Sequence, residues 1–422
     1  MNERFLQFIW QHQYFNRQEL RLSNGIPFQI LHPGHYNVHQ GPDFSDARIL
    51  YEERQWAGNI ELHVKASDWK KHEHQDDDNY KNVILHVVWI DDESQPVNTI
   101  PVFTLENRVP KLMLHQYESW MNNGAAYFPC HAQLGSIEEK LFNSWLEKLS
   151  EARLKKRAEE IRQLLEQNQL HWEATCWILI ARNFGTRVNA DLFEAVAKTI
   201  SITLLGRHKH QIHALEALLL GQAGLLSGTF EEKYPQLLQK EYQFYKKKYR
   251  LQPVHLPVYF LRMRPANFPT IRFAQLAMLV HQSSALFAFI RDCTNLKDVR
   301  KLLMVTANDY WHYHFRFDQL SDYQPKQVGT TMVENMMMNT IVPLLYTFGT
   351  INHQCEFVQK ALAWLRSTPV EKNKVISNFQ SKCFPIQTAM QSQAVLELKT
   401  FYCDAKRCLD CSIGKQLLKG GP

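Results

Sequence analysis

Residues 59–65 alternate without a break: Asn59, Glu61, His63 and Lys65 fall on one side, Ile60, Leu62 and Val64 on the other. A period of two marks a strand. Shorter extended runs are predicted at 27–31, 46–51 and 100–105. Residues 83–90 are nearly all apolar, as an interior strand requires. Upstream, Phe5, Leu6, Phe8, Ile9, Phe15 and Leu20 have helical spacing, which predicts a helix over 3–22. A polar stretch fills 66–82.

From residue 137 the texture turns helical. The spacing predicts helices at 137–169, 171–184, 189–204, 210–226, 230–249, 270–291, 296–305, 331–346, 353–366 and 386–402. Pro110, Gly124 and Pro129 place the boundary between 107 and 136. The expected class is α+β: an N-terminal helix with a mixed β-sheet over 1–110, a large all-α domain over 137–380, and a Cys-rich C-terminal segment over 381–422. No repeat of fixed period is present.

A chain of 422 residues has room for two or three domains. Its 45% apolar and 21% charged residues are ordinary globular usage and exclude a disordered or collagen-like chain. No apolar run reaches the ~18–20 residues of a membrane helix, and MNERFLQFIW is too interrupted for a signal peptide. The expectation is a soluble intracellular protein with no membrane partner. Charge changes the picture more. Residues 1–110 hold 10 Lys and Arg against 16 Asp and Glu; the remainder holds 38 against 26. An acidic first part before a basic remainder suits a metal site beside a surface for a polyanion.

The sharpest candidate chemistry is Gly41-Pro42-Asp43, followed 18 residues later by Glu61 in Glu61-Leu62-His63-Val64-Lys65. Two carboxylates on neighbouring strands can chelate Mg²⁺ or Mn²⁺. Such an ion binds a phosphate oxygen and a water, and His63 or Lys65 would supply the base or the stabilising charge. His72-x-His74 with nearby carboxylates is a candidate Zn²⁺ or Mn²⁺ set, and His86 in its apolar strand reads as a hydrogen-bonded core histidine. At the other end, Cys403, Cys408 and Cys411 read C-x4-C-x2-C, with Cys383 upstream. Four thiolates would hold structural Zn²⁺ or an iron–sulfur cluster. Cys130, Cys176, Cys293 and Cys355 stand singly and read as packing residues. Arg262, Arg264 and Arg272 surround two prolines and are the candidate nucleic-acid contacts. P-loop, G-x-G-x-x-G and G-x-S-x-G motifs are missing, which disfavours nucleotide-driven, Rossmann and serine-hydrolase readings.

The N-terminal segment resembles the PD-(D/E)XK nuclease superfamily. Asp43 matches its Asp and Glu61 its acid; His63 occupies the Lys position, a departure, with Lys65 two residues further on. Glu19 is the candidate for the superfamily's helical Glu. The resemblance implies a metal-dependent phosphodiesterase acting on DNA or RNA, or a nucleic-acid-binding scaffold that has lost the chemistry. A hydrolase of another phosphate-containing substrate is a third reading. Most of the chain also resembles an uncharacterised bacterial family, through GPDF (41–44), GNIELHVKASDW (58–69), LHVVW (85–89), RMRPANFPTIR (262–272) and the C-terminal cysteines. That resemblance implies a cytoplasmic protein and carries no activity.

Overall fold

The computed structural model describes residues 1–37, 40–74, 77–93, 100–122, 127–261, 263–380 and 385–419. It divides into two compact units. The first comprises residues 1–145, 378–384 and 396–422, the second 146–377 and 385–395. The cysteine-bearing terminus thus belongs to the unit that holds the sheet. The outcome is an α+β chain, a mixed sheet followed by a large helical region.

In the first unit, helix α1 (Glu3–His12) starts on Asn2, whose side chain accepts from the Phe5 N–H. It buries Phe5, Leu6, Phe8, Ile9 and Trp10. The helix stops at Gln13, which takes a left-handed conformation with φ 54°. The apolar spacing that suggested a helix to residue 22 continues into irregular chain, where Phe15 and Leu20 pack without helical backbone.

The strands are β1 (Phe28–His32), β2 (His35–Tyr36), β3 (Phe44–Tyr51), β4 (Arg54–Lys65), β5 (Val83–Ile90) and β6 (Val102–Thr104). The sheet order is β1-β3-β4-β5-β6, with β2 also on β3. β3 and β4 form an antiparallel hairpin turned by Glu52 and Glu53, both at positive φ. β4, β5 and β6 run parallel. A parallel pair needs a crossover, and residues 66–82, with the short helix α2 (Asp68–Lys71), provide it. That connection places the polar stretch at the end of β4 where Glu61 and His63 lie.

Two glycines of the sequence motifs have backbone reasons. Gly41 sits at φ 104°, a conformation open to glycine. At Gly58 a Cβ would lie 2.5 Å from the Asn82 carbonyl oxygen, so only glycine allows this approach of the crossover to β4.

Helix α3 (Lys111–Asn122) occupies the stretch read as irregular boundary. Helix α4 (Glu139–Gln167) carries the chain out of the first unit. In the second unit, α5 (Trp172–Phe184), α6 (Thr186–Thr199), α7 (Ile202–Gly206), α8 (Ile212–Gln222), α9 (Lys233–Tyr249) and α10 (Pro269–Gln282) lead the helical array. Its core includes Trp177, Phe184 and Trp311, and Phe193 stacks on Phe273 with ring centroids 3.7 Å apart. A small hairpin, His314–Arg316 with Gln319–Leu320, interrupts the helices. Among the described residues no single helix is long and apolar enough to cross a membrane. The one bent pair that qualifies, Pro269–Gln282 with Leu286–Asp292, carries fully buried core residues such as Leu276 and Ile290.

Candidate metal centre

The polar face of β4 is not a solvated one. Glu61 is 5% exposed and His63 1%, while Ile60 and Leu62 on the opposite face are fully buried. A carboxylate and an imidazole enclosed together require partners, and the structure supplies them from three other segments.

Asp43 immediately precedes β3. Its main-chain N–H donates to Glu61 Oε2 at 3.0 Å, and its own Oδ2 accepts from the Leu62 N–H at 3.1 Å. Gln7 Nε2 of α1 donates to Asp43 Oδ1 at 2.6 Å. Just beyond Asp43 the β3–β4 register shifts between Phe44 and Ala47, with Asp46 at φ 56°. This bulge bends β3 where Asp43 meets Glu61.

Glu61 Oε1 lies 3.6 Å from His63 Nε2 and 3.6 Å from His74 Nε2. His63 Nε2 is 3.1 Å from His72 Nδ1, and His63 Nδ1 is 2.9 Å from His86 Nε2. His74 stacks on Tyr80 with centroids 3.9 Å apart, and Trp69 closes one side. Two ligand sets emerge, each with donor atoms within 4.8 Å of one another: His63, His72 and His74, and Glu3, Glu61 and His63. Glu3 from α1 brings a helical acid to the cluster. Glu19, the residue expected in that role, lies outside the helix in a turn at φ 44°.

The electrostatics follow from enclosure. Burial, and then the neighbouring Glu3, raise the Asp43 carboxyl. Burial and then the charge of Asp43 raise Glu61. Burial, followed by the surrounding histidines, drives His63 far below the usual imidazole range, and burial pushes His86 down to about 4. Tyr80 is pushed up to about 12 by burial and by Glu61. Neutral imidazoles beside carboxyls crowded against their own charge form a site that a cation would relieve.

The donor set fits a transition metal. Imidazole nitrogens with a carboxylate suit Zn²⁺ or Mn²⁺, whereas Mg²⁺ prefers oxygen alone. The 3.1 Å between His63 Nε2 and His72 Nδ1 is close to the ~3.3 Å between two tetrahedral ligands at ~2.0–2.1 Å.

Of the residues singled out in the sequence, Asp43, Glu61 and His63 are therefore together. Asp43 belongs to neither ligand set; its carboxylate holds β4 and α1 in place. Lys65 is exposed where β4 ends, its N–H on Asp68 Oδ2 at 3.1 Å. Asp92 is held below the usual carboxylate range mainly by the Ser67 N–H, with Lys65 adding a smaller effect. Sequence reasoning passed over Gln7 and Glu3, whose only signal is their shared helical face one turn apart.

At the C-terminus, Cys408 and Cys411 are buried and Cys403 is partly exposed; burial raises all three thiols. Cys403 also feels Cys130, Cys411 and Cys408, so the four sulfurs share one neighbourhood. Among the described residues they form no group with donors within 4.8 Å. Cys383 and Arg262 lie outside the described residues. Cys130, read as a packing residue, thus stands beside the terminal cysteines, and Cys355 is exposed rather than packed. Arg264 and Arg272 both line one cavity of the second unit.

The family model for a protein of unknown function, DUF2851, matches residues 3–374. The chain belongs to that family. In this DUF2851 chain the match includes Asp43, Glu61, the histidine cluster and both arginines, and stops short of Cys403, Cys408 and Cys411. No curated protein and no solved structure matches the chain.

Proposed function

We propose that the first unit is a metal-dependent phosphodiesterase acting on DNA or RNA. The observation that carries this reading is the burial of Glu61 beside His63, with His72 and His74 within ligand distance and Asp43 bonded to the same strand. The order of Asp43, Glu61 and His63 also keeps the likeness to the PD-(D/E)XK pattern.

Glu61, His63, His72 and His74 would hold Mn²⁺ or Zn²⁺, with Glu3 at the edge of the set. Such an ion, when bound, supplies a Lewis acid for a phosphate oxygen and a water of lowered pKa. Asp43 positions Glu61 through its N–H and is itself held by Gln7. The His63–His86 contact would orient the ligand: with Nδ1–H donating to His86 Nε2, His63 keeps Nε2 free for the ion. Arg264 and Arg272 of the second unit would contact phosphates of the nucleic acid, and the terminal cysteines would hold structural Zn²⁺ or an iron–sulfur cluster.

The second reading is a nucleic-acid-binding scaffold without hydrolysis. It is favoured by His63 standing where the superfamily pattern has Lys, and by the exposure of Lys65 away from the ligand sets. The two separate in one assay: cleavage of labelled DNA and RNA in Mn²⁺ or Zn²⁺, lost in Glu61→Gln, supports the first; salt-sensitive binding without cleavage supports the second.

A further inference from the structure

The helical unit contains a cavity of about 740 Å³, inside the ~300–1,000 Å³ range of small-molecule sites. Five arginines line it: Arg157, Arg182, Arg187, Arg264 and Arg272. No aspartate or glutamate does, among the described residues. Arg157 and Arg182 reach acids outside the cavity, Glu160 for the first, Asp191 and Glu194 for the second. Arg187 and Arg264 are exposed and have no ion pair among the described residues.

Arg272 is the deciding residue. It is only 7% exposed, yet its guanidinium meets no carboxylate among the described residues. Its two terminal nitrogens donate to the neutral amides of Gln275 and Asn267, and its Nε has no hydrogen-bond partner. Gln275 is itself held, donating to the Lys326 carbonyl at 2.9 Å. Buried charges are ordinarily paired, because removing an ion from water costs several kcal/mol. Burial lowers Arg272 to about 10, which leaves it charged at neutral pH. A buried charge in the cavity lining, oriented by amides that cannot neutralise it, calls for an anion from outside.

Two backbone irregularities sit on the same wall. Thr186, a β-branched residue, takes φ 54° as the first residue of α6. The π-helical turn Met337–Ile341 presents Asn339 and Thr340 to the cavity. Such turns and strained residues gather at functional sites. Asn183, Asn267, Asn335 and Asn339 add amides that can both donate and accept, as the base and sugar of a nucleotide require.

We infer that this cavity binds a phosphate ester of nucleotide size, its phosphate on Arg272 with Arg187 and Arg264. The inference rests on the reading of Arg264 and Arg272 as phosphate contacts, and on no catalytic step in the first unit. The same chemistry has two sources, a free nucleotide or the phosphorylated end of an oligonucleotide.

The test uses the full chain, with pyrophosphate, a nucleoside 5′-monophosphate, and one oligonucleotide with and without its 5′-phosphate. Titration calorimetry and thermal shift are the readouts. At least one phosphate-bearing probe should bind and raise Tm, and Arg187→Gln and Arg264→Gln should each weaken it about tenfold or more. Binding of the mononucleotide assigns the free ligand. Binding only of the 5′-phosphorylated oligonucleotide assigns a nucleic-acid end. Arg272→Met should abolish binding; because it can disturb folding, the two exposed arginines decide the outcome. The inference is overturned if no probe binds, or if binding is unchanged in both exposed-arginine variants. Repeating the titration in Glu61→Gln separates the two proposals: lost cleavage with intact binding leaves the cavity standing, and the reverse leaves the hydrolysis standing.

Discussion

Asp43 and Glu61 are joined through the backbone of one and the side chain of the other: the Asp43 N–H donates to Glu61 Oε2 at 3.0 Å. The Asp43 carboxylate returns the bond one residue further along β4, accepting from Leu62 N–H. The start of β3 is thus locked to the residue that faces the histidines, so disturbing Asp43 moves Glu61.

Asp43→Ala should therefore cost stability as well as activity. It strands the Leu62 N–H and the Gln7 amide in a largely enclosed place, at about 1–3 kcal/mol. Chemical denaturation of the metal-free chain measures this. Asp43→Asn keeps an oxygen for Leu62 and the main-chain N–H on Glu61, so stability and cleavage should both fall less than in Asp43→Ala.

Metal should stabilise the native chain. Adding Mn²⁺ or Zn²⁺ to roughly a hundred times its Kd should raise the unfolding free energy by about 2.7 kcal/mol. The same addition should do less for Glu61→Gln, which removes a ligand of one set, and little for His63→Ala, which removes the residue common to both. Equal Tm increases in wild type and in both variants would place the ion elsewhere.

Glu216 in the second unit gives a pH signature. It is fully buried, accepting from Tyr234 Oη at 2.7 Å and Trp311 Nε1 at 3.0 Å, and burial pushes its carboxyl up to about 7. The folded state therefore holds a proton that the unfolded state, near the usual 4.5, has lost. Its contribution is complete below the unfolded value and is lost as pH rises from about 4.5 through about 7, on the order of 3 kcal/mol. The denaturation midpoint should fall over that window. Glu216→Gln keeps the acceptor for Tyr234 and Trp311 and should flatten the profile; an equally steep fall in the variant would trace it to another group.

The cysteine neighbourhood has its own check. Protein purified anaerobically should carry about one equivalent of zinc at the cysteines, or about two to four of iron with matching sulfide, and chelation should loosen the terminal segment. Cys130→Ser should lower that content along with Cys408→Ser, since Cys130 stands beside Cys403. Full metal content in Cys130→Ser would leave Cys383 as the fourth ligand.

Local pattern carried the sheet and half of the centre. The alternation of 59–65 marked β4, and the apolar run of 83–90 marked β5, because strand period survives in a linear sequence. Burial of the polar face was not legible, since it depends on α1 and the crossover folding over β4. Glu3 and Gln7 lie more than fifty residues from Glu61 and carry no local mark. Lys65 keeps the strand's phase but falls where β4 ends, so phase alone placed it with His63. In the second unit Arg272 was readable only as a basic residue; its lack of a carboxylate partner among the described residues is a tertiary fact.

The most direct measurement is cleavage of end-labelled single- and double-stranded DNA and RNA by the metal-stripped chain after addition of Mn²⁺, Zn²⁺ or Mg²⁺, beside Glu61→Gln. Products are expected with Mn²⁺ or Zn²⁺, and none from the variant although it still binds. Binding with no cleavage of any substrate in any of the three metals, or equal cleavage by wild type and Glu61→Gln, would contradict a metal-dependent phosphodiesterase built on Glu61.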